Sequence, residues 1–180
     1  MVIRPKRAAL VVILAAWACL PTPPAPGQET VKGAATRTIS LAGDGNFQVE
    51  GGSTLLGTVN APKGTLDLRV GGRSTVKLTG EVGAVVIHLV DGKSTVDLSG
   101  LKAASVVVKG DINGSSEVSL NTPTADFGGT IDGMSVVTVA GAKRITGRVI
   151  NGGSTLTHNA AAVCTFKSKD GGAKIEARTE

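Results

Sequence analysis

Three carboxylates recur at almost constant spacing: Asp91, Asp111 and Asp132 are 20 and 21 residues apart. In a chain that coils with that period they would approach one corner of successive coils. Oxygen donors gathered this way suit calcium, which takes about six to eight oxygen ligands from carboxylates and turn carbonyls. The three form the candidate metal site. A backbone role competes with it: Asp91 and Asp132 open Asp-Gly turns, where Asp is favoured for bonding its own main chain. Asp111 lies two residues out of that register, and Asn113 holds the equivalent place. The two histidines, His88 and His158, have no second ligand at metal spacing and no neighbouring Ser or Cys in a nucleophile signature. No catalytic residue is assigned and no cofactor is expected.

Cys19 offers a different chemistry. Arg4, Lys6 and Arg7 precede an unbroken apolar run over residues 8–20, which reads as a secretory signal peptide covering residues 1–20. Thirteen apolar residues are too few for a bilayer core of about 30 Å. Cys19 follows Ala18, and Pro21, Pro23, Pro24 and Pro26 follow it, so the segment resembles a bacterial lipoprotein leader whose lipid-modified Cys begins the mature chain. That resemblance makes Cys19 the candidate lipidation site and lipid anchor, although Ala16 and Trp17 depart from the usual residues before the Cys. Residues 21–29 read as a stiff Pro-rich linker. Only Cys164 remains in residues 30–180, so no disulfide can form within that domain.

These groups have to be positioned by a repeat. The phrases Gly51-Gly52-Ser53-Thr54-Leu55, Gly71-Gly72-Arg73-Ser74-Thr75-Val76 and Asp91-Gly92-Lys93-Ser94-Thr95-Val96 return as Asn113-Gly114-Ser115-Ser116-Glu117-Val118, Asp132-Gly133-Met134-Ser135-Val136-Val137 and Asn151-Gly152-Gly153-Ser154-Thr155-Leu156. The aligned serines are 21, 20, 22, 19 and 19 residues apart. Short apolar strands and Gly turns at a period near 20 predict an all-β single-stranded parallel β-helix of about seven coils over residues 30–180. Two residues after each serine stands Leu55, Val76, Val96, Val118, Val137 or Leu156, a column that must face inward. Thr75 and Lys77, and Thr95 and Asp97, then face solvent, with Lys77 and Asp97 expected to pair across adjacent coils. A sandwich or barrel is the rival architecture. His158 falls in the inward phase. His88 is inside if it stacks on Leu68, and outside if Val85, Ile87 and Leu89 share the interior.

Composition narrows the function classes. The chain has no Tyr, three Phe and one Trp, Trp17, which lies in the leader. That leaves few aromatic platforms for sugars or single-stranded nucleic acid. Removing the three leader cations lowers the formal charge from +5 to +2, which weakens any case for nucleic-acid binding. Thr54, Thr75, Thr95 and Thr155 make an outward threonine column interrupted by Glu117 and Val136, as β-propensity on an exposed strand would also give. At the ends, residues 30–50 with Asp44 and Glu50, and the last strand with Lys174, Glu176, Arg178 and Glu180, are expected to cap the column. The expected state is a monomer or a weakly self-associating species.

Val108-Lys109-Gly110-Asp111-Ile112 and Ile145-Thr146-Gly147-Arg148-Val149 resemble bactofilin-type coils. The Gly-Ser/Asp-rich rungs over residues 50–160 are similar to the secreted head (GIN) domains of small bacterial parallel β-helix proteins. Bactofilins are cytoplasmic polymers with shorter coils, so the leader and the longer period favour the head-domain likeness. That likeness implies an exported interaction or structural module and transfers no functional residue. The expectation is an exported non-enzymatic module of the cell envelope, in the periplasm, at the cell surface or outside the cell. Its partner would be an envelope polymer or protein, not nucleic acid. The alternatives are a carbohydrate-binding or calcium-dependent module and a degenerate relative of the large β-helix polysaccharide lyases, in which stacked acids hold calcium.

Overall fold

The computed structural model describes residues 28–178, and they form an all-β parallel solenoid of about eight turns with a period near 19 residues. The expected signal peptide, Cys19 and nearly all of the Pro-rich linker lie outside the described residues. Thirteen strands build two stacked faces joined by bends. One face carries β2 (Thr36–Leu41), β7 (Glu117–Asn121), β9 (Val136–Ala140), β11 (Thr155–Asn159) and β13 (Lys174–Arg178). The other carries β1 (Glu29–Val31), β3 (Gly45–Val49), β8 (Thr124–Ile131), β10 (Arg144–Ile150) and β12 (Val163–Lys169). Three long strands, β4 (Thr54–Val70), β5 (Thr75–Val90) and β6 (Thr95–Val108), run through both faces. Every strand pairing is parallel, so each residue stands above its counterpart one coil earlier. At about 4.8 Å per coil the first and last coils are roughly 35 Å apart.

The period-two pattern determines the interior. Leu55, Val76, Val96, Val118, Val137 and Leu156 form the expected inward column, each with no exposed surface. Leu66, Leu68 and Val70, then Val106, Val108 and Ile112, line the opposite wall. The core is Val, Leu and Ile, with Phe47 and Phe127 as its fully enclosed aromatics.

Each coil closes at a corner where two consecutive residues have positive φ. Eight such corners begin at Gly33, Gly51, Gly72, Gly92, Gly114, Gly133, Gly152 and Gly171. The first position is glycine every time, and the reason is space. A Cβ on Gly92 would stand 2.9 Å from the backbone nitrogen of Gly72, one coil below, and one on Gly133 would stand 2.8 Å from that of Gly114. The second position accepts Arg73, Lys93, Ser115 and Met134 at φ near 65–68°, a strained conformation for non-glycine residues. The first and last corners, at Gly33-Ala34 and Gly171-Gly172, lack the serine phrase.

Two local departures from the repeat matter. Leu68 pairs with Ile87 and Arg69 with Leu89, which leaves His88 as the extra residue of a β-bulge. Ile87 therefore faces inward and His88 outward, resolving the two phases the sequence left open. The N-terminal coil also differs from expectation. Glu29 stacks under Phe47 and Arg37 under Leu55, so both occupy columns that are apolar in the coils above. They pair at 2.9 Å across the open end of the column. Arg37 lies within the segment 30–50 expected to cap this end, and its partner Glu29 begins the first strand inside the range assigned to the linker.

Candidate functional site

The serines of the repeat, the most numerous potential nucleophiles, are structural. Ser53, Ser74, Ser94, Ser116, Ser135 and Ser154 are buried to within 1% of complete exclusion. The backbone N–H of each of the first five donates to the hydroxyl of the next, at 3.1–3.3 Å. The hydroxyls of Ser53, Ser94, Ser116 and Ser135 donate in turn to the carbonyl three residues earlier, at 2.5–2.7 Å. The ladder satisfies donors and acceptors that the corner would otherwise bury unpaired. At its top Ala173 supplies no hydroxyl, and the Ser154 N–H bonds Asn151 O at 3.1 Å instead. Sequence reasoning located these serines without assigning them this job. Their in-phase relation to the inward Val and Leu was the available signal.

The structure does not bring Asp91, Asp111 and Asp132 together. Asp91 and Asp132 share the corner row, but Asn113 stands between them, which sets them two coils and about 10 Å apart. Calcium–oxygen distances of about 2.3–2.6 Å cannot bridge that gap. Asp111 lies on an exposed bend, where its Oδ1 accepts the Thr130 N–H at 2.8 Å. Asp132 accepts the Gly133 N–H at 2.6 Å, and the Asn151 amide, oriented to donate, reaches it at 2.7 Å. The row runs Asp91, Asn113, Asp132, Asn151, Asp170, alternating carboxylate and amide so that like charges avoid adjacent coils. Among the described residues no three His, Cys, Asp or Glu side chains converge as a metal site.

The histidines, the Lys77–Asp97 pair and Cys164 are paired or partly enclosed. His88 Nε2 lies 2.8 Å from Asp67 Oδ1 on the outer surface, with no hydroxyl or thiol bonded to the pair. His158 is 8% exposed in the inward stack between Val139 and Ala177, and its Nδ1 contacts Asn159 O at 2.9 Å. It is the covered residue near the C-terminal end that the sequence suggests. Lys77 Nζ lies 3.1 Å from Asp97 Oδ2, the expected cross-coil pair. Hydrogen bonds from Ser99, then Lys77, hold the Asp97 carboxyl below its ordinary pKa. Burial pushes the Cys164 thiol up, away from the nucleophilic thiolate.

What the fold offers outward is a set of straight rows. Thr36, Thr54, Thr75 and Thr95 stack in register over four coils, and Ser40, Thr58 and Thr79 stack over three coils along the same face. Thr38 sits between these rows in the first coil. The sequence registered the first row as interrupted and did not register the second, because that row lies four residues further along each strand. An open notch of about 250 Å³ lies at the corner where Gly71 replaces a side chain between Glu50 and Asp91, with Arg69 beside it. Glu50 is already engaged by Lys32 at 3.2 Å and by the Gln48 amide. No protein-family model matches the chain, and no curated protein or solved structure matches it either.

Proposed function

We propose that the domain is an exported, non-enzymatic structural or interaction module of the cell envelope. The observation that carries this reading is the serine ladder. The serine hydroxyl of the corner phrase is withdrawn from solvent and bonded within the coil, so the repeat is built to hold a rigid column. The leader and the likeness to secreted head domains support export. Interaction would occur through flat, regularly spaced rows, which suit an extended polymer or a protein surface better than a small molecule. The test is secretion of the full chain from a bacterial host, mass determination of its mature N-terminus, and assay of the product on a glycan panel. Retention in the cytoplasm, or turnover of any glycan, overturns the reading. A mass increment on Cys19 identifies the anchor.

The paired hydroxyl rows favour one second reading, a carbohydrate-binding module whose Thr and Ser hydroxyls lie along a glycan chain. Pull-down on insoluble polysaccharides, with Thr58→Val/Thr79→Val as the comparison, separates it from the first. Binding that the double variant abolishes would establish it.

A further inference from the structure

The two ends of the column differ in charge, and both leave apolar residues half-buried, Ile39 and Leu41 in the first coil and Cys164, Phe166 and Ile175 in the last. Residues 28–132 carry nine Lys or Arg against eleven Asp or Glu, and residues 133–180 carry seven against three. The domain is therefore net −2 over its first coils and +4 over its last. None of the seven C-terminal cations is in an ion pair with another described residue. Lys167, Lys169, Lys174 and Arg178 rim the last coil, with Arg144 and Arg148 one coil behind on the β12 face, and all six are exposed. Asp170 and Glu176 are the only acids among them within the described residues. Inside this rim the interior is not closed. Cys164, Phe166 and Ile175 are only half-buried although they continue the inward columns, and Val163, stacked on Arg144, is 65% exposed.

We propose that this C-terminal end docks on an anionic lipid bilayer, with the cationic rim on the headgroups and Val163, Phe166 and Ile175 at the acyl boundary. Cations near an anionic surface and apolar area beneath it contribute together to such binding. The charge selects this occupant over a second copy of the chain. Two C-terminal ends would bring +4 against +4, and the N-terminal end of another copy presents the Glu29–Arg37 pair, which stacking would desolvate. The exposed apolar residues select a bilayer over a soluble polyanion, which would need only the rim. The proposal rests on the reading of the domain as an interaction module. The two fail separately: glycan turnover would overturn that reading and leave vesicle binding untouched.

Co-sedimentation of the full chain with vesicles tests it, comparing phosphatidylcholine alone with an equimolar mixture of phosphatidylcholine and phosphatidylglycerol. Every variant keeps the same N-terminal segment, so differences between variants report the C-terminal end. Binding is expected on the anionic vesicles. Arg144→Gln/Lys167→Gln should weaken partitioning about thirtyfold, from roughly one kilocalorie per mole for each cation at the surface. Val163→Asp, at an exposed position, should weaken it as well, and Lys63→Gln/Lys102→Gln in the acidic half should leave it unchanged. Wild-type binding to the anionic vesicles by both C-terminal variants overturns the proposal. Polyglutamate that competes fully while Val163→Asp binds like the parent would replace the bilayer with a soluble polyanion.

Discussion

Ser94 shows how the repeat spends its polar atoms. Its hydroxyl accepts the Ser74 N–H at 3.2 Å and donates to Asp91 O at 2.5 Å, and the side chain is 1% exposed. Ser94→Ala keeps the shape, as Ala173 does at the same place in the last coil, but leaves a buried donor and a buried acceptor unpaired. The expected loss is about 1–3 kcal/mol in urea unfolding, against a few tenths for Thr95→Ala on the outer row. Equal losses would show that the ladder contributes nothing. Asp97 makes the corresponding statement about pH. Its folded-state pKa is depressed by Ser99 and Lys77, so its stabilisation is present above the ordinary carboxylate value of about 4 and is lost as pH falls through the lower folded value. Asp97→Asn should flatten that part of the acid-unfolding profile while lowering stability at neutral pH. An unchanged acid limb would refute the assignment.

At the scale of the element, the corner explains why one of its two left-handed positions is invariant and the other is not. A Cβ at Gly92 collides with the coil below, whereas Lys93 at φ 66° points its side chain to solvent. Gly92→Ala is expected to lower the melting temperature by many degrees. Lys93→Gly should be neutral or stabilising by up to about 1 kcal/mol, because relief of left-handed strain offsets the added chain entropy. A melting series on these two variants checks the pair, and equal destabilisation by both would contradict the steric account. The strands were legible because alternating apolar residues recur at the same offset from each turn. The bulge at His88 was not. The inserted residue preserves both flanking patterns, and only the pairing of Leu68 with Ile87 and of Arg69 with Leu89 shows where the register shifts.

For the whole molecule the ends decide behaviour. The charges expected to cap the C-terminal end, Lys174, Glu176 and Arg178, project outward from β13 and do not cover the half-buried Ile175 between them. At the N-terminal end Glu29 and Arg37, whose side chains are 40% and 58% exposed, pair across the column, and Ile39 and Leu41 of the same coil are half-buried. An ion pair that open contributes little to stability, so its effect is to resist stacking by another copy. Arg37→Leu should leave the melting temperature within a degree or two and raise the scattering mass at high concentration. A monodisperse variant would show that something else keeps the columns apart. The sequence by itself determined the parallel coil, its period, the inward columns and the Lys77–Asp97 pair, because a repeat places like residues over like residues whatever the details of the corner. Tertiary structure alone decided two things: the separation of Asp91, Asp111 and Asp132, and the bonding of the serine ladder. Each depends on which residue of the neighbouring coil lies within a few ångströms, and a one-residue bulge or a corner glycine changes that neighbour without changing the repeat.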